Sequence, residues 1–440
     1  VSGSARAGRE LDMQSADTRV AEPVRAEPSP NGAAAASPSA AARVPHIKQL
    51  TGIRALAALW VLLFHFRPEL IEAFGFLYPL IPLMNVGYLG VDLFFVLSGF
   101  ILTFTHLDRM VVGWGPRKIV AFLWLRISRI WPVMMVMLLA WGLYLAFLAT
   151  WTNDGGFHYA LQPGRFLAHV FLVQAWTTAH HDWNPIDWSL SAEWMAYIAF
   201  TVLVVLLAKF RTQLSDRALV SLALLAVLPL VLVGIGFQDG SDLMWDGDKI
   251  VEGIVPLRVL TEFVGGAIVA VLVLRHGLTA RLPWFLRPTV VLAVILVAIY
   301  VIHLNDPAVR VRFAVDWRIN GHLMWGATET VLVVPLFLLL IGSLAVSGRD
   351  VTARFLSTRV LVWGGKVSFA LYLVHWLLLD LMRRLLTSWG LVDEPSAWEF
   401  RLFVIAGIVG SFVAGHLLHH RVEEPCQRAM RKMLPRSIKV

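Results

Sequence analysis

The chain has 440 residues, 58% of them hydrophobic and 15% charged, with a formal net charge of +8. Soluble domains hold about 25% charged and roughly 45–50% apolar residues, so this balance, with a mean hydropathy of +0.68, excludes an ordinary soluble globular class. The positive charge does not indicate a nucleic-acid partner, because it lies in short loops between apolar runs rather than on one basic face.

The first 45 residues are polar, then rich in Ala, Pro and Ser, and contain no apolar core of the signal-peptide kind. They are expected to form a disordered cytoplasmic tail. From residue 50 onward, apolar runs recur at lengths able to cross a bilayer, which needs ~17–25 residues. Ten candidate spans follow: 50–66, 86–106, 128–150, 188–208, 217–236, 253–274, 287–304, 325–346, 363–388 and 400–421. The apolar stretch 166–176 is too short to cross, and is expected to lie at the interface or to re-enter.

Loop charges orient these spans, since cytoplasmic loops carry the Lys/Arg excess. With the N-terminus inside, Arg109, Arg117, Lys118 and Arg126 fall in the first inner loop, and Arg349, Arg354 and Arg359 in the last. Residues 238–252 form an acidic outer loop, and the outer cluster Arg310, Arg312 and Arg318 is the one exception to the alternation. The reading is an all-α polytopic membrane protein, a bundle of about ten transmembrane helices with both termini cytoplasmic. A membrane domain over 46–425 is followed by a basic cytoplasmic tail, 426–440. The single cysteine, Cys426, excludes an internal disulfide and a cysteine-based metal cluster. No internal repeat is visible, which weighs against a transporter of duplicated halves. Arginine far outnumbers lysine, a hint of a GC-rich bacterial gene and hence of the bacterial inner membrane.

Ionisable residues inside apolar runs mark candidate function. Arg54 and His65 stand eleven residues apart in the first span. That is three helical turns with about 20° of drift, so they share a face ~16 Å apart. The structural alternative is that Arg54 snorkels to headgroups and His65 is a satisfied interhelical histidine. Asp92 and Ser98 lie among aromatic and glycine residues of the second span, where Asp92 could equally cap or face water. Arg126 and Arg129 open the third span, as phosphate contacts or as topology anchors. Ser189 and Glu193 sit one turn apart, and Glu193 could instead favour a helix N-terminus. Ser368, Tyr372 and His375 form a polar stripe that must face the bundle interior or a wet cavity, unless it serves as interhelical glue.

Together these runs resemble the acyltransferase-3 family of integral membrane O-acyltransferases. The resemblance covers roughly residues 46–430, making 46–425 an acyltransferase-3-like domain. It rests on the Arg54/His65 spacing, GYLGVDLFFVLSGFI, the Arg126–Arg129–Pro132 pattern, WSLSAE, SFALYLVH and the closing HHRVEEP. It implies transfer of an acyl group, usually acetyl, from acyl-CoA to a hydroxyl of a sugar, glycolipid, polysaccharide or secondary metabolite. By that resemblance His65 is the catalytic residue, taking the hydroxyl proton or briefly carrying the acyl group. Arg54 is its electrostatic partner, able to hold CoA phosphate or developing negative charge.

The expected cavity is lined by His65, Glu193, Tyr372 and His375 on the acceptor side, with Glu193 catalytic and Asp92, Ser98, Tyr372 and His375 binding substrate. Acyl-CoA approaches from the cytoplasm toward Arg54, Arg126 and Arg129. With no Gly-rich phosphate loop and no Cys/His metal spacing, neither a metal nor a bound cofactor is expected, and acyl-CoA enters as donor substrate. The expected partners are acyl-CoA, a hydroxyl-bearing acceptor and the lipid bilayer. The rival reading is a transporter or lipid-translocating protein whose polar stripes line a substrate path; it predicts broken helices at symmetric positions and no need for an acyl donor.

Overall fold

The computed structural model describes residues 46–152, 157, 161–176, 183–236, 254–305, 326–395 and 397–434. The tail 1–45, the acidic loop 238–252, the cluster Arg310, Arg312 and Arg318, and residues 435–440 lie outside the described residues. Among the described residues the regular structure is helical, without strands. This is what a lipid environment demands, since a helix satisfies its backbone polar groups within one segment.

Each of the ten apolar runs is helical over nearly all its length. The long helices are α1 (Lys48–Ala73), α2 (Leu89–Val111), α3 (Pro116–Thr152), α5 (Trp188–Gln213), α6 (Asp216–Gly236), α7 (Ile254–His276), α8 (Pro288–Asn305), α9 (Gly326–Val346), α10 (Arg359–Ser388) and α11 (Trp398–Leu418). Among the described residues seven helices, α1, α2, α3, α5, α7, α10 and α11, are long and apolar enough to cross a membrane. The apolar stretches of α8 and α9, Pro288–Leu304 and Leu332–Val346, are shorter. The stretch 166–176, expected to be too short to cross, begins inside α4 (Pro163–Val170), which is followed by a turn at Leu172 with φ of 59°. Ser191 of α5 braces that turn, donating to the Leu172 carbonyl at 2.8 Å and accepting from Ala175 N–H at 3.1 Å.

Two close helix contacts set the frame of the interior. At Gly365 of α10 an added Cβ would lie 1.8 Å from the Thr51 carbonyl of α1. Such an approach needs a residue without a side chain. A half-buried ion pair joins the other ends of the same helices, Arg383 Nε to Glu69 Oε1 at 2.5 Å. Starts and ends therefore match, so α1 and α10 run parallel. The second contact joins α2 to α7, where a Cβ on Gly99 would meet the Phe263 carbonyl and one on Gly266 the Val96 carbonyl. Phe66, Phe100, Phe122, Phe200 and Phe263 are fully buried, while Leu143, Val202, Leu225, Val297 and Leu402 face outward. Apolar faces turned outward in this way suit lipid.

At the C-terminal end α11 passes through a π-helical turn, His419–Glu423, into α12 (Glu424–Lys432). The indole of Trp124 on α3 donates to the Met430 carbonyl at 2.8 Å and fixes α12 against α3.

Candidate active site

The parallel packing of α1 on α10 brings two histidines ring to ring. His65 Nδ1 lies 2.9 Å from His375 Nε2, and His375 Nδ1 lies 2.6 Å from the Tyr372 carbonyl. A carbonyl can only accept, so His375 carries its proton on Nδ1 and, as a neutral ring, offers the lone pair of Nε2. His65 must then donate from Nδ1, which leaves its own Nε2 lone pair for chemistry. The rings are 29° from parallel with centroids 5.1 Å apart, and Trp376 closes edge-on to His65 at 4.6 Å.

Tyr372 connects this pair to a narrow cleft of about 70 Å³ lined by Arg54, Arg129, Ser189, Glu193, Ser368 and Tyr372. The Tyr372 hydroxyl donates to the Ile186 carbonyl at 2.9 Å and lies 2.9 Å from Ser189 Oγ. Asn184, buried, donates to the Leu373 carbonyl at 3.0 Å and ties the segment before α5 to α10. That segment is anchored in turn by the buried His169–Asp187 pair at 2.8 Å.

The cleft is electropositive. Arg54 lies in the field of Arg129, Glu423 and Glu193; Arg126 lies in that of Tyr197, Arg129, Arg431 and Glu193. The four guanidinium groups outnumber the two carboxylates, which favours an anionic ligand. The buried Nε of Arg126 has no hydrogen-bond partner among the described residues. Glu193 is held in place by the Tyr197 hydroxyl and by Ser98 Oγ at 3.3 Å.

The structure thus gathers Arg54, Arg126, Arg129, Glu193, Ser98 and Tyr372 around one region, with His65 and His375 beyond Tyr372. The expected division, with Glu193 and Tyr372 apart from the arginines, is not the observed arrangement; both share the cleft of Arg54 and Arg129. Asp92 is placed elsewhere. It takes a two-pronged pair from Arg258, Nε at 2.7 Å and Nη2 at 2.6 Å, with Glu262 3.5 Å from the same guanidinium. Asp92 is buried and occupied in locking α2 to α7.

Sequence reasoning missed Tyr197, Glu423, Arg431 and Asn184. Tyr197 was within reach, since it stands one turn from Glu193 on the same helix face. Glu423 belongs to HHRVEEP, and its bond from His419 Nδ1 at 2.8 Å holds it where its charge reaches Arg54. Nothing in the spacing shows that this terminal run folds back over the first span.

The chain matches the family described as acyltransferase domain over residues 47–416. Acyltransferase MdmB of Streptomyces mycarofaciens is 28% identical over 405 residues, covering 89% of this chain and 95% of that protein. YrhL of Bacillus subtilis (strain 168), named as a candidate peptidoglycan O-acetyltransferase, is 23% identical over 400 residues, 86% of this chain and 55% of that protein. SACOL0978 of Staphylococcus aureus (strain COL), named as a candidate O-acetyltransferase, is 27% identical over 175 residues, 38% of this chain and 26% of that protein. The chain therefore spans nearly all of MdmB but about half of YrhL and a quarter of SACOL0978. No solved structure matches it. The family match runs from the start of α1 almost to the end of α11 and takes in both the histidine pair and the arginine cleft; the chain belongs to the acyltransferase-3 family of membrane acyltransferases.

Proposed function

We propose that this enzyme transfers an acyl group, acetyl in the first instance, from acyl-CoA to a hydroxyl of a sugar, glycolipid, polysaccharide or secondary metabolite at the bacterial inner membrane. The observation that carries this reading is Tyr372. Its ring lines the arginine cleft while its carbonyl sets the tautomer of the histidine pair. A site for anions and a site for proton transfer therefore share one residue.

Phosphates of acyl-CoA sit against Arg54, Arg126 and Arg129, where charge-assisted hydrogen bonds are strong. The unpartnered Nε of Arg126 supports that placement. The thioester points along α1 toward His65. The acceptor oxygen attacks the thioester carbonyl carbon, and its proton passes to His65 Nε2 as the new C–O bond forms. The tetrahedral intermediate collapses with cleavage of the C–S bond, and the proton leaves His65 for the departing CoA sulfur. His375 Nε2 accepts from His65 Nδ1 throughout, orienting the ring and stabilising its transient positive charge.

The test has two arms. Mass spectrometry of envelope glycans, lipids and secreted metabolites, with and without the gene, reveals the acceptor as a species differing by one acyl mass. His65→Gln keeps polarity but cannot take the proton, so turnover is expected to fall by roughly 10²–10⁴ with the protein still inserted. Near-normal turnover in that variant would reduce His65 to an interhelical contact.

A further inference from the structure

A second cleft opens at the other end of α1 and α10, with Glu69 about 22 Å along α1 from Arg54. It holds about 180 Å³ and is lined by residues including Pro68, Glu69, Glu72, Arg383, Leu386 and Thr387. Its central group is tied to the histidine pair. Arg383 donates from Nε to Glu69 Oε1 at 2.5 Å and from Nη2 to Glu69 Oε2 at 3.3 Å and to the His65 carbonyl at 3.1 Å. The cleft therefore begins one helical turn past the imidazole, on the side away from the arginine cleft.

Its charge differs in kind from that of the first cleft. Its lining holds one guanidinium, Arg383, against two carboxylates, Glu69 and Glu72. The lining therefore has no excess of positive charge, and it offers carboxylate acceptors and a guanidinium donor beside apolar walls at Pro68 and Leu386. Such a mixture suits a molecule with hydroxyls on some faces and hydrocarbon on others. The phosphates of a CoA donor need an excess of positive charge, which the arginine cleft supplies and this one does not.

The geometry points to this second cleft as the seat of the acceptor, an uncharged hydroxyl-bearing molecule of the glycoside class, hydrogen-bonded by Glu69 and Arg383 with a hydroxyl turned toward His65. The assignment rests on His65 acting as the base. It adds that donor and acceptor enter from opposite ends of α1, and that Arg383 is a positioning residue for both the acceptor and the His65 turn.

The test uses the full chain in nanodiscs with labelled acetyl-CoA. Methyl glucoside serves as the neutral hydroxylated probe and methyl glucuronide as its anionic counterpart. Thr387→Trp fills the cleft from an exposed position whose hydroxyl donates to the Arg383 carbonyl within α10. Transfer to the glucoside is expected to exceed that to the glucuronide. In Thr387→Trp the KM for the glucoside should rise roughly tenfold or more, the effect of losing a good contact, with the Kd for acetyl-CoA unchanged. The smaller filler Thr387→Leu should fall between, and acetyl-CoA binding reports that each variant is folded. An unchanged glucoside KM in folded Thr387→Trp, a preference for the glucuronide, or no transfer to either glycoside from bound acetyl-CoA overturns the cleft assignment. A wild-type protein that does not bind acetyl-CoA at all overturns instead the reading of the arginine cleft on which it rests.

Discussion

His65 and His375 are 310 residues apart in sequence and 2.9 Å apart at their ring nitrogens. The direction of that hydrogen bond follows from the Tyr372 carbonyl behind it, and it turns a pair of buried imidazoles into a base and its support. Removing the support should be felt in turnover rather than in donor binding. His375→Ala removes the imidazole that accepts from His65 Nδ1–H, and loss of a group that orients a histidine costs about 10–100-fold. Steady-state kinetics should show kcat falling by that amount with the KM for acetyl-CoA little changed. His375→Gln, whose amide oxygen can accept the same proton, should recover part of the loss.

Arg126 and Arg129 are separated by one turn and contribute to the same electropositive cleft. Arg126→Gln with Arg129→Gln should weaken acetyl-CoA binding by roughly tenfold or more, since each charge-assisted contact contributes about 1.5–3 kcal/mol. Isothermal titration of the purified double variant checks this. An unchanged affinity would leave both residues as topology anchors.

Asp92 and Arg258 make a buried two-pronged ion pair, with the Asp92 side chain 1% exposed. Asp92→Asn should act on stability, because breaking a buried pair costs at most about 3–5 kcal/mol, and Arg258 keeps Glu262 at 3.5 Å. Thermal unfolding in detergent should show a lower midpoint, with the acceptor KM of the surviving folded fraction unaltered. A changed acceptor KM at full stability would return Asp92 to the substrate.

Gly365 offers a test of the helix contact that builds the site. A Cβ there would fall 1.8 Å from the Thr51 carbonyl, so Gly365→Ala must push α1 from α10. Overpacking of this kind costs about 1–3 kcal/mol or more. Lower yield and a reduced melting midpoint are expected, together with lost turnover, because the same shift separates His65 from His375. Gly364→Ala is the matched control, since its added Cβ meets only the Ala55 side chain at 3.0 Å.

Membrane orientation can be read independently of activity. Reporter fusions at residues 215 and 355 should report the cytoplasm, and a fusion at 245 the opposite side, because basic loops surround the first two positions and acidic residues the third. Finding 215 and 245 on one side would remove the alternation on which the ten-span reading depends.

What the sequence determined by itself is the class of the protein and the inventory of its polar residues. Hydropathy is a local property that sums along a segment, so each apolar run, and each helix it becomes, is legible without knowledge of its neighbours. The arginines at 54, 126 and 129, and the histidines at 65 and 375, stand out for the same reason: each is costly in an apolar run. Tertiary structure alone decided their company. Asp92 resembled a substrate ligand until α7 supplied Arg258, and Glu423, within the closing HHRVEEP, comes near Arg54 only through the π turn after α11. Glu193 and Tyr372 were expected apart from the arginines and are found beside them. Which helix faces which is set by close backbone approaches, such as Thr51 on Gly365, between segments more than three hundred residues apart. No spacing within a single helix carries that information, because side-chain periodicity defines a face but not the partner it meets.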